Sequence, residues 1–163
     1  MNLSGLLPLI EDLSAFHALI AAMRAQATVS ADVIESARAP MLAALSRTLD
    51  APIVVITARS DRAKQLADEL TVWSHDRASV FVFPEPDPLF YERMPWNVET
   101  IAARLAALAA LAQSRGARLS APQPIVVTSV RAVMQRTVPP ADFLAGMRVL
   151  RHGESKSLTE LLS

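Results

Sequence analysis

Apolar residues follow two rhythms along this chain. In the first they recur at three- and four-residue spacing, as on one stripe of a helix. Leu9, Leu13, Phe16, Leu19, Ile20 and Met23 predict one amphipathic helix near the start, and Met41, Leu42, Leu45 and Leu49 a second, ended by Asp50-Ala51-Pro52. Ala63, Leu66, Ala67 and Leu70, closed by Trp73, predict a third with Ser60 or Asp61 as its cap, and an Ala/Leu-rich stretch runs from a cap at Asn97 through Gln113. The second rhythm is the unbroken apolar run: Ile53-Val54-Val55-Ile56-Thr57, Val80-Phe81-Val82-Phe83 and Ile125-Val126-Val127-Thr128. Such β-branched runs without alternation predict parallel strands covered on both faces. The run at Ile53 reads as the clearest buried strand, and a further strand is expected over residues 28–34.

Strands and helices that alternate in this way predict an α/β fold, a mostly parallel sheet with helices on both faces. Residues 80–140 make one βαβ unit of it. Pro84, Pro86, Pro88 and Pro95 forbid regular structure until Asn97, and Arg115-Gly116-Ala117-Arg118 with Pro122 and Pro124 marks the next connection. A short helix is expected from Ser129 to about Arg136, broken by Pro139-Pro140. Beyond Gly146 the character changes. Met147-Arg148-Val149-Leu150-Arg151 alternates like a strand, and residues 157–162 look like a helix start that would continue past Ser163. The expected organisation is an N-terminal helix over residues 1–26, an α/β domain over 27–145 and the start of a second domain over 146–163.

Composition narrows the function classes. Hydrophobic residues make up 52% of the 163 and charged residues 20%, which excludes disorder. Sixteen basic residues balance sixteen acidic ones, against a domain that grips nucleic acid by itself. The absence of cysteine removes disulfides, thiolate metal sites and a cysteine nucleophile. Glu11 and Asp12 interrupt the first apolar stretch and no basic segment precedes it, so neither a signal peptide nor a membrane span is expected. The chain reads as cytoplasmic.

A phosphate-binding loop is the first chemistry to test in such a fold. It needs glycines so that backbone amides can close around phosphate, and a lysine for the terminal phosphates. The glycines here are Gly5, Gly116, Gly146 and Gly153, and none lies in the turn at residues 32–40. Arg38 takes the lysine position and Ala39 that of the magnesium-binding hydroxyl, with Glu35, Ser36 and Ala37 before them. Glu35 would aim a carboxylate at the phosphates. The shape of a phosphate loop is retained, but its chemistry is lost, and no cofactor is expected to bind.

Other sites are thin. His17, His75 and His152 lack ligand spacing, so no metal is expected. Ser129 lacks the flanking glycines of a nucleophile elbow and reads as a helix cap. No catalytic residue is expected. Glu85, Asp87, Glu92 and Glu99 read as a solvated acidic loop. Phe90, Tyr91 and Trp96 follow a strand's carboxyl end, where α/β folds place ligands. They form either a loop contact surface that stacks on a partner or a seal between helix and sheet; the acidic surroundings favour the seal.

Phe83-Pro84-Glu85-Pro86-Asp87-Pro88-Leu89-Phe90-Tyr91-Glu92-Arg93, followed by Arg104-Leu105 and Leu108, resembles the N-terminal, UvrB-like region of the bacterial transcription-repair coupling factors (Mfd family). Residues 125–140, with Val133-Met134-Gln135-Arg136, and the spacing of Gly153, Leu158, Leu161 and Leu162 are similar to the segments that follow in that family. The resemblance runs from about Ser30 to the end. It implies a RecA-like fold of the P-loop NTPase type with a degenerate nucleotide site. The span from Pro84 to Asn97 is too short for the damage-probing hairpin of UvrB. The family releases RNA polymerase stalled at DNA lesions and recruits UvrA for nucleotide excision repair. Its ATP- and Mg²⁺-dependent translocase motor, which acts on double-stranded DNA, and its polymerase-binding domain lie downstream. The UvrA-binding domain would only begin at Met147, and no membrane is involved. The resemblance thus implies a non-catalytic scaffold. The alternatives are an active UvrB-like or helicase-like ATP-binding domain, and an unrelated α/β ligand-binding module.

Overall fold

The computed structural model describes residues 2–25, 28–74, 79–86, 95–114, 123–148, 152, 153, 155 and 157. At its centre lies a three-stranded parallel sheet of β1 (Ile53–Thr57), β2 (Val80–Phe83) and β3 (Ile125–Ser129), ordered β1-β3-β2. Ile53 and Val80 both stand beside Ile125 in register, and Phe83 stands beside Thr128. The last strand in sequence is therefore the middle one, and every residue of it is buried.

Helices cover both faces. Side chains alternate along a strand, so Ile125 and Val127 point to one face of β3 and Val126 to the other. On the first face they join Ala39, Ala43, Ala44 and Leu45 of α3 (Arg38–Thr48) and Ala63, Leu66 and Leu70 of α4 (Ser60–Trp73). On the second, Val126 packs with Phe83, with Ala107 of α5 (Val98–Ser114) and with Ala132 of α6 (Val130–Val133). Small alanines on α3 and α4 let the helices approach the sheet closely.

The first apolar stripe is not one helix. It breaks into α1 (Leu7–Glu11) and α2 (Ser14–Arg24), which meet at 82° with Leu13 in an extended conformation. Leu7 and Phe16 would point to opposite sides of an unbroken helix, and the bend sends both into the core that holds Ile125 and Val127. Leu9 and Leu13, which the periodicity placed inward, are 68% and 52% exposed. Leu3 N donates to Val72 O at 2.8 Å and Asn2 Nδ2 to Ser74 O at 2.8 Å, pinning the chain's start to the end of α4.

Three further expectations are corrected. Residues 28–34 form no strand: among the described residues β1 pairs only with β3, and Ile34 is 74% exposed. The strand at Ile53 is an edge rather than the most buried one, because α5 packs on β2 and leaves Val54 and Ile56 49% and 54% exposed. The helix after Ser129 does end before Pro139-Pro140, but a further helix that was not expected, α7 (Pro140–Gly146), opens at Pro140, a position where its missing N–H has no helical partner to lose. The expected strand at residues 147–151 and helix at 157–162 fall largely outside the described residues, as do the loop at 115–118 and Pro122. Among the described residues no single helix is long and apolar enough to cross a membrane.

Candidate functional site

The carboxyl ends of the three strands are tied together by side chains. The Thr57 hydroxyl lies 2.7 Å from Arg59 O and 3.1 Å from Thr128 O. The Thr128 hydroxyl donates to Phe83 O at 2.9 Å. One residue on, Arg104 Nη1 donates to Pro84 O at 2.7 Å, and one further, Ser129 Oγ donates to Glu85 Oε1 at 2.6 Å. Three successive residues at the end of β2 are thus each held by a different buried side chain: Thr128, Arg104 and Ser129 are 1%, 5% and 2% exposed. Pro84 and Pro86 have no N–H of their own to offer a ladder, so the stem is fixed through its carbonyls and one carboxylate.

Arg104 arrives from α5 with its guanidinium carbon 3.9 Å from the Phe83 ring centre and 5.1 Å from that of Trp96. A planar guanidinium between two rings gains cation–π attraction on both sides. Burial pushes its pKa down from the usual arginine value, yet arginine stays charged throughout the ordinary range. Trp96, 37% exposed, closes the outer side of this stack.

Glu85 is the point where the loop meets the end of β3. Its Oε2 lies 3.7 Å from Arg131 Nη1, and its side chain is only 19% exposed. Ser129 Oγ also accepts the amide of Ala132 at 3.2 Å, the helix cap expected of it. Beside Glu85 and Ser129 a crevice of about 190 Å³ opens, walled by Ser60, Ala63 and Lys64 of α4 and Thr100 of α5.

The turn at residues 32–40 lies elsewhere. Glu35–Ala37 form a single 3₁₀ turn that runs directly into α3, with Ala39 and Pro40 buried. Glu35 pairs with Arg62 of α4, whose other terminal nitrogen, Nη1, donates to Gln65 Oε1 at 2.7 Å. Glu35, Ser36, Ala39 and Arg62 line one cavity of about 590 Å³. Asp32 and Arg38 line another of about 750 Å³ together with Val55 and Thr57 of β1 and Ala58 just beyond it. Among the described residues no strand feeds this turn, and Glu35 is committed to α4.

Of the residues read from sequence, Ser129 and Asn97 act as caps; Asn97 Oδ1 accepts the amide of Glu99 at 3.0 Å. Neither Ser60 nor Asp61 caps α4: its side-chain cap is absent, and Asp61 pairs with Arg59 at 2.9 Å. Trp96 seals α5 against β2 through Arg104, while Phe90, Tyr91, Asp87 and Glu92 lie outside the described residues. Glu85 is not part of a solvated acidic loop. The signal that would have found it is register: with Phe83 beside Thr128, Glu85 must pass close to the end of β3. Among the described residues no three His, Asp or Glu side chains converge to hold a metal ion.

No family model matches the chain. Over 107 residues, 66% of its length, it is 36% identical to the transcription-repair-coupling factor of Mycobacterium bovis, and equally to that of Mycobacterium tuberculosis. The matched part is 8% of each relative, so the chain spans a small fraction of the proteins it resembles. The relationship to transcription-repair coupling factors read from the motifs is thereby borne out.

Proposed function

We propose that this chain is the N-terminal, UvrB-like part of a bacterial transcription-repair coupling factor, and that it serves as a scaffold that hydrolyses no nucleotide. The similarity to two coupling factors supports the repair role. The observation that carries the non-catalytic reading is the turn before α3. It has no glycine and no lysine, no strand feeds it among the described residues, and its carboxylate, Glu35, is paired with Arg62. A RecA-like domain whose first turn offers a carboxylate instead of backbone amides repels the phosphates it would otherwise cradle.

In this reading the sheet and its helices are a rigid base. ATP and Mg²⁺ act in a downstream motor, and RNA polymerase and double-stranded DNA meet downstream domains. UvrA is bound by the domain that begins near Met147. The whole assembly works in the bacterial cytoplasm. Similarity to coupling factors weighs against an unrelated ligand-binding module, and the ruined turn weighs against an active ATPase.

A steady-state ATPase assay on the purified chain, with and without double-stranded DNA, tests this role. Phosphate release at the buffer background in both conditions is expected; turnover stimulated by DNA would overturn it.

A further inference from the structure

We infer that Glu85 sets its own carboxylate at the wall of a crevice where a phosphate-like anion would otherwise be accepted, and so keeps such an anion out by charge. The inference deepens the non-catalytic reading and rests on it. The crevice lies at the carboxyl ends of β2 and β3, between helices on opposite faces of the sheet: Ser60, Ala63 and Lys64 belong to α4, Thr100 to α5. Open α/β sheets bind ligands outside the carboxyl ends of their strands.

The groups around it are donors and cations. Of the lining residues Ser129 brings a buried hydroxyl and Lys64 an ammonium, and the guanidinium of Arg131, outside the lining, approaches Glu85. Among the described residues Lys64 has no carboxylate within ion-pair distance. Of these only the Ser129 hydroxyl is buried, and a buried donor left without an acceptor is costly, while the two exposed cations favour an anion at the same place. Glu85 is that acceptor: its Oε1 accepts the Ser129 hydroxyl at 2.6 Å and its Oε2 approaches Arg131 at 3.7 Å. Prolines on either side hold its backbone in place. The volume of about 190 Å³ falls below the roughly 300 Å³ at which small-molecule pockets begin. The space left beside Glu85 has room for a single oxyanion but not for a nucleotide, so what excludes the anion is the charge of the carboxylate.

Glu85→Ala and Glu85→Gln test the exclusion. Inorganic phosphate and pyrophosphate are titrated at fixed ionic strength while the amide resonances of Lys64, Ser129 and Ala132 are followed by NMR. Wild-type chain is expected to show no saturable shift. Glu85→Ala is expected to bind phosphate at least about tenfold more tightly than wild type, because one opposing charge has left contact distance. Adding Lys64→Met should remove the gain. Equal responses in wild type and Glu85→Ala, or a gain that Lys64→Met leaves intact, would overturn the inference. If Glu85→Ala fails to fold, the isosteric Glu85→Gln carries the test in the same direction, and no gain over wild type overturns it. ATP bound by wild-type chain would instead contradict the non-catalytic reading, so the two failures are distinguishable.

Discussion

Ser129 Oγ donates to Glu85 Oε1 across 2.6 Å, which joins the end of the central strand to the loop leaving its neighbour. Because the same oxygen accepts the Ala132 amide at 3.2 Å, one hydroxyl both caps α6 and holds the loop. Ser129→Ala should therefore destabilise the chain by about 1–3 kcal/mol, since it removes a cap and strips a carboxylate of its donor. Urea denaturation measures this. A change below about 0.5 kcal/mol would show that the contact contributes little.

Arg104 organises the stem by shape as much as by charge. Arg104→Lys keeps the charge and loses the planar fit between Phe83 and Trp96. In a Trp73→Phe background, where Trp96 is the remaining tryptophan, the emission maximum should move to longer wavelength and acrylamide quenching should rise. Unchanged emission would mean that Trp96 is held by something other than the guanidinium.

The sheet order assigns very different weights to two valines. Val127 is 0% exposed in the middle strand, and Val127→Ala should cost about 2–3 kcal/mol through lost burial and a residual cavity. Val54, 49% exposed on the edge, should tolerate Val54→Thr within about 0.5 kcal/mol. Thermal or chemical unfolding of the two variants compares them directly; equal losses would contradict the order β1-β3-β2.

One surface pair has a defined pH signature. The hydrogen bond from Arg59 holds the Asp61 carboxyl below its ordinary value, helped by the Arg62 amide. A lowered folded pKa gives a contribution present above the unfolded value and lost as pH falls through the folded one. Both side chains are exposed, so solvent screening keeps the effect on stability near the limit of measurement. Arg59→Gln should return the NMR titration of the Asp61 carboxyl toward the usual aspartate range. A midpoint that does not move would assign the shift to the Arg62 amide alone.

Strand identity was legible in the sequence and lateral order was not. The runs at Ile53, Val80 and Ile125 each form a parallel strand, because an apolar β-branched run has few other ways to hide. Nothing in Ile53–Thr57 announces that β3 would take the middle and leave Val54 and Ile56 half open. The break at Asp12 and Leu13 was hidden because the apolar spacing runs through it unchanged. The lack of glycine in the turn at Glu35 to Ala39 was plain in the sequence, whereas the ion pair of Glu35 with Arg62 depends on packing that no local pattern encodes. Glu85 lay further from view, since its role exists only once Phe83 stands beside Thr128.

Calorimetric titration of the wild-type chain with ATP and Mg²⁺ tests the central claim most directly. A scaffold whose first turn carries Glu35 and Arg38 in place of glycines and lysine predicts no saturable heat up to millimolar nucleotide. Saturable binding in the micromolar range would contradict it.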